Sequence, residues 1–137
     1  MQIVYDKASL SDKVAKYKST GNKITLIPTM GNLHRGHQVL FSKAPNNTIK
    51  VATIYVNPLQ FNNSDDYQNY PRNLKTDLEV CRQNKISLVY APDGDISNKI
   101  VIEKNIDLPK FTRYLCGEKR EGHFLGVYKI VKYLFSI

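Results

Sequence analysis

Two histidines three positions apart, His34 and His37, sit in the stretch PTMGNLHRGH that runs from Pro28 to His37. The stretch follows a short apolar run, ITLIP at 24–28, and leads into a segment of helical character from about His37. A strand-to-helix turn of that composition suits phosphate chemistry for three reasons. Gly36 has no Cβ, so a phosphate can come close to the backbone. A helix opening near His37 points free N–H groups and the positive end of its dipole at an anion. His34 and His37 each add a ring N–H able to stabilise charge that builds on phosphorus during a displacement. Such chemistry needs positioning and charge stabilisation, with no side-chain nucleophile. Neither the lysine-bearing loop GxxxxGK[ST] nor the dinucleotide turn GxGxxG is present. A histidine pair at i, i+3 can also ligate zinc, but no third Cys, His or carboxylate stands at a matching spacing, so no metal ligand is assigned.

Two further groups have chemical potential. In VNPLQF, residues 56–61, the amides of Asn57 and Gln60 both donate and accept, which suits a hydroxyl or carboxylate. Pro58 stiffens the turn and Phe61 can wall an apolar pocket, although an amide in a loop is equally at home in water. In RYLCGEKREGHFLGV, residues 113–127, Arg120, Gly122, His123 and Gly126 stand around the start of an apolar helix. Arg120 suits an anion and Gly122 leaves room at the helix entrance. Val127 and Ile130 read equally well as core residues.

The elements that must position these groups follow from the apolar periods. Residues 8–19 space Leu10, Val14 and Tyr17 as one face of a helix, with Ser9 or Ser11 as its cap and Gly21 as its stop. Strands are expected at 24–28, covered on both faces, at 49–56 and at 86–92. Helices are expected at 37–44, at 73–84 with Leu74, Leu78 and Cys81 on one face, and at 123–135. The stretch 93–112 reads as irregular. Strands alternating with helices imply an α/β fold with a doubly wound parallel sheet, one domain over residues 1–137. Ligands of such sheets bind at the C-terminal strand ends, from which the polar loops 28–37 and 57–72 depart.

Composition narrows the partners. The chain has 137 residues, with 20 Lys+Arg against 12 Asp+Glu and a formal charge of +8. That balance suits a small anionic substrate. The basic residues stand singly, without a long run or finger spacing, so no nucleic-acid partner is expected. No stretch approaches the ~18 apolar residues of a membrane span, so no membrane partner is expected either. Acidic residues in MQIVYDKASLSDK and two cysteines without a framework point to the cytoplasm. The final helix is still apolar at Leu134, Phe135 and Ile137, from which we expect the chain to be one part of a longer sequence.

Taken in order, PTMGNLHRGH, VNPLQF, YPRNLKTDL and LCGEKREGHFLGV with KYLFSI resemble the pantothenate synthetase (pantoate–β-alanine ligase) family of the HIGH-motif nucleotidylyltransferases, from about Ile24 to Ile137. The resemblance implies a Rossmann-like fold, incomplete at the C-terminus. It implies a two-step reaction in which ATP adenylates pantoate with release of pyrophosphate, and β-alanine then displaces AMP. Mg²⁺ would accompany the triphosphate, and the parent enzyme would be a homodimer. His34 and His37 match the catalytic histidines that contact the ATP phosphates, His37 being the one usually called catalytic. Met30, Gly31, Asn32, Leu33, His34, Arg35, Gly36 and His37 match the nucleotide-binding loop. Met30, Asn57, Gln60, Arg120, His123, Val127 and Ile130 match the pantoate side, and Gln60 also lies near β-alanine. Arg35 and Glu121 depart from the family pattern, and Glu121 beside Arg120 would weaken an anion site. The segment 93–112 looks short. The family's later GEKD-type loop, QQ pair, SSR-type loop and smaller C-terminal domain are not in these residues. The chain alone is therefore expected to have little or no turnover. Two other readings stand beside this one: a related nucleotidylyltransferase with another acceptor, and a non-catalytic binding module.

Overall fold

Among the described residues, runs of Ile, Val and Thr build a four-stranded sheet. The computed structural model describes residues 1–100, 106–114 and 116–137. Its strands are β1 (Gln2–Val4), β2 (Lys23–Thr29), β3 (Thr48–Ile54) and β4 (Leu88–Tyr90). All pair in parallel, in the order β1-β4-β3-β2. Ile27 lies opposite Ala52, and Ala52 opposite Val89, so these three side chains share one face. Val51, Thr53, Leu88 and Tyr90, which point the other way, are just as buried. Burial on both faces is why β3 and β4 read as unbroken apolar runs.

Two expectations about the sheet change. The apolar run at 24–28 predicts a strand covered on both faces, yet Leu26 is half-buried and Pro28 exposed, and among the described residues β2 stands last in the strand order. On a side without a neighbour, a residue lacking an N–H leaves no ladder bond unmade. β1 has no counterpart among the expected strands. Three residues are too few to show a period, and only pairing with β4 makes them a strand.

The chain forms two compact units: residues 1–56 and 71–94 with Ile137, and residues 57–70 and 95–136. The first holds the sheet with α1 (Lys7–Ser19), α2 (Arg35–Lys43) and α4 (Leu74–Gln83). Phe41 and Ala44 from the α2 end, and Cys81 with Leu78 from α4, pack with Ile27, Ala52 and Val89 into one core. The cap of α1 is Asp6, one turn earlier than Ser9 or Ser11. Its carboxylate accepts the Ser9 N–H at 2.8 Å and the Ser9 hydroxyl at 2.7 Å.

The second unit carries a 3₁₀ turn at Pro58–Gln60, α3 (Ser64–Gln68), α5 (Cys116–Lys119) and α6 (His123–Phe135). α6 opens at Gly122, whose φ of 78° is left-handed. Gly126 lets α6 lie directly against the 58–60 turn. A Cβ there would collide with the Leu59 carbonyl and stand 2.8 Å from the Gln60 nitrogen. No helix among the described residues is long and apolar enough to cross a membrane.

Candidate functional site

In the sheet unit the site begins where β2 ends. Thr29 is buried and its hydroxyl donates to the Thr53 carbonyl at 2.6 Å while accepting the Gly31 N–H at 3.2 Å. The backbone then turns through two left-handed residues, Gly31 at φ 77° and Asn32 at φ 51°. Asp77 reaches this turn from the first helical turn of α4, 45 positions along the chain from Asn32. Its carboxylate, 3% exposed, accepts the Asn32 N–H at 3.0 Å and the Leu33 N–H at 2.8 Å. A Cβ on Gly31 would stand 2.8 Å from Asp77 Oδ2 and 3.2 Å from Ile54 Cγ2. Space and backbone both require glycine there.

Next come the histidines. His34 is the N-cap of α2, and its Nδ1 accepts the Gly36 N–H at 3.1 Å. In return the His34 N–H donates to Nδ1 of His37 at 3.3 Å, and the ring centroids lie 4.2 Å apart. A ring nitrogen that accepts carries no hydrogen, so each neutral imidazole is assigned its proton on Nε2. The pair thus offers two Nε2–H donors at a helix N-terminus. Burial holds the pKa of His37 below its ordinary value near 6.5, and the charge of His34 pushes the same way against the raising influence of Asp77. Both of these lowering influences favour the neutral form of His37. Gly36 also serves the chain itself: a Cβ would come within 2.9 Å of His34 Cε1, so a larger residue would make the His34 ring shift. Its bareness, expected from the sequence to serve phosphate access, first makes room for the His34 ring.

The other residues of the loop divide by task. Leu33 packs against the core, Met30 is half-buried, and Asn32 and Arg35 are exposed. The Asn32 and Leu33 N–H groups already serve Asp77, which makes those two residues anchors of the turn.

The second unit gathers its own cluster. Asn57, with 0% exposure, uses both amide hydrogens internally, to Gln60 Oε1 at 3.0 Å and to the Gly126 carbonyl at 3.1 Å. Its Oδ1 accepts the Leu59 N–H at 3.3 Å. Asn57 thereby holds the Gln60 side chain. Nδ1 of His123 lies 2.9 Å from the Gln60 carbonyl oxygen. A carbonyl only accepts, so Nδ1 bears the hydrogen and neutral His123 offers Nε2 as an acceptor, the reverse of the His34–His37 pair. Arg120 and Val127 are half-buried, while Ile130 at 7% exposure is a core residue. Asp77 is a residue bonded to the turn after β2 that no motif in the sequence marks with a role. Its signal was present: position 77 falls on the same helical face as Leu74, Leu78 and Cys81, where a carboxylate is out of place unless bonded.

A parallel sheet in which β2 runs into a histidine-capped helix defines a Rossmann-like α/β protein. The model of the pantoate-beta-alanine ligase family matches residues 2–137, and the chain belongs to that family. It is 41% identical over 140 residues to the pantothenate synthetase of Aliivibrio fischeri, covering 100% of this chain and 48% of the relative. It is 40% identical over 138 residues to that of Rhizobium rhizogenes, covering 47% of the relative. Among solved structures, the pantothenate synthetase of Thermus thermophilus superposes with a TM-score of 0.76 at 31% identity, over 98% of this chain and 48% of the other. The Francisella tularensis pantoate-beta-alanine ligase complexed with beta-gamma ATP and beta-alanine gives 0.81 at 30% identity, over 99% and 52%. The chain spans about half the length of the curated relatives it matches.

Proposed function

We propose that this chain is the nucleotide- and pantoate-binding portion, residues 1–137, of a pantoate–β-alanine ligase. The observation that carries the proposal is the reciprocal His34–His37 cap, which presents two Nε2–H donors beside the N-terminus of α2. In the proposed reaction a carboxylate oxygen of pantoate attacks the α-phosphorus of ATP and the bond to pyrophosphate breaks. The amine of β-alanine then attacks the carbonyl carbon of the pantoyl adenylate, forming the amide, expelling AMP and releasing a proton.

His34 and His37 act as donors to phosphate oxygens, since neither ring has Nδ1 available as a base. Residues Met30 to His37 form the ATP loop. Gln60, Arg120, His123 and Val127 serve pantoate with Met30, buried Asn57 and Ile130 support that side from within, and Gln60 also serves β-alanine. His123 accepts a substrate hydroxyl at Nε2, and the Gln60 side chain is held ready by Asn57. Mg²⁺ enters with the triphosphate as part of the substrate. Among the described residues no three His, Cys, Asp or Glu side chains converge into a metal cage, so none is assigned to that ion. A cytoplasmic homodimer is the proposed setting of the parent enzyme.

Pantoate-dependent pyrophosphate release tests the assignment. His37→Ala should lower it by roughly 10²–10³-fold with pantoate and ATP saturating. Undiminished release in that variant refutes the role of His37. For the 137 residues alone, the expected result is calorimetric binding of ATP with little or no AMP formed.

A further inference from the structure

We infer that Asp77 is a positioning residue of the proposed nucleotide site: its buried carboxylate, bonded to two backbone N–H groups, holds the turn before α2 in the conformation that seats His34 and His37. The inference rests on residues 30–37 being the ATP loop. Asn32 occupies left-handed backbone space at φ 51°, which a residue with a Cβ adopts at a cost. The bonds from the Asn32 and Leu33 N–H groups, 3.0 and 2.8 Å long, are charge-assisted and offset that cost. The relation is mutual, because a carboxylate at 3% exposure needs donors, and the first turn of α4 adds the favourable end of its dipole. Two residues beyond Asn32 the chain reaches His34, whose ring caps α2. A turn released from Asp77 changes where that cap starts. The carboxylate also raises the proton affinity of His37, so it is coupled to the histidine pair through space as well as through the backbone.

Asp77 as mere structural support predicts lower stability and nothing else. A positioning role predicts weaker nucleotide binding in a protein that is still folded. The test is a titration of the ¹⁵N-labelled chain with Mg·ATP in the wild type, Asp77→Asn, Asp77→Glu and, as a control for surface charge, Asp12→Asn. In the wild type the Asn32 and Leu33 amides should exchange with solvent at least about tenfold more slowly than those of the exposed Gly21 and Gly94 turns. Asp77→Asn keeps the shape but sets an NH₂ group against one backbone N–H. It should lose that protection, bind ATP roughly tenfold or more weakly, lower the His37 titration midpoint and still melt cooperatively. Asp77→Glu, with charge and both oxygens kept, should bind ATP more tightly than Asp77→Asn, and Asp12→Asn should match the wild type. ATP affinity within twofold of wild type in a folded Asp77 variant that has lost the amide protection overturns the role, as does rapid exchange of both amides in the wild type. If Asp77→Asn does not fold, Asp77→Glu and the wild-type exchange decide. No ATP response in the wild type overturns the functional proposal, and this role with it.

Discussion

An imidazole is defined by which nitrogen holds its hydrogen, and here the backbone makes the choice. His34 and His37 accept at Nδ1, whereas His123 has a carbonyl against Nδ1. No motif reports that distinction. The HxGH spacing shows that two rings sit near a helix start; only the hydrogen bonds say that both keep their hydrogen on Nε2. The depressed pKa of His37 has a direct consequence for stability. The unfolded chain takes up this proton near pH 6.5, the native chain only at lower pH. Over that window the unfolded state binds more protons, so the contribution of His37 to stability falls as pH drops from about 6.5 through the native pKa, and is flat above. The check is an NMR titration of the His37 ring, with denaturation at pH 7.5 and 5.5 compared between wild type and His37→Gln. The pH dependence should be shallower in the variant. Gly31→Ala tests the turn itself. A positive φ and a clash with the Asp77 carboxylate should cost about 1–3 kcal/mol, measured by urea unfolding.

At the scale of elements, segments lying within a longer apolar run or period were legible and isolated short ones were not. β3, β4, α4 and α6 lie within a few residues of where their apolar spacing puts them. α2 starts at Arg35, two residues before the expected His37, because the cap is a histidine and the usual Ser, Thr, Asp or Asn signal is missing. α3, five residues long within the loop 57–72, has no apolar face to betray it. Gly126 shows an element deciding the geometry of a site: α6 can hold Asn57 through its Gly126 carbonyl because no Cβ keeps the 58–60 turn away. Gly126→Ala should therefore destabilise the chain by about 1–3 kcal/mol as the turn is forced off the helix. Amide shifts of Leu59 and Gln60, together with thermal unfolding, read that outcome.

On the scale of whole folded units, the sheet unit is held by a core shared by the sheet, α2 and α4. Phe41 has no exposure, and Phe41→Ala should cost about 3–5 kcal/mol in denaturant unfolding. Cys81 offers an independent probe. Burial, and then the charge of Asp77, push its thiol up to about 11, so it should resist thiol reagents at pH 7 until the protein unfolds. Peptide-level mass spectrometry of a labelling time course would show its modification rate following global unfolding as urea is added. Local order was set by the amino-acid sequence alone: apolar periods of two and 3.6 residues, glycine where the backbone turns left-handed, and a histidine pair at a strand-to-helix junction. These are relations between near neighbours, and side-chain size and backbone sterics enforce them without help. Tertiary structure alone decided the order β1-β4-β3-β2, the last place of β2 in it, the reach of Asp77 across 45 positions and the protonated nitrogen of each ring. Such features depend on which distant groups meet once the apolar faces are buried, and no local preference encodes that meeting.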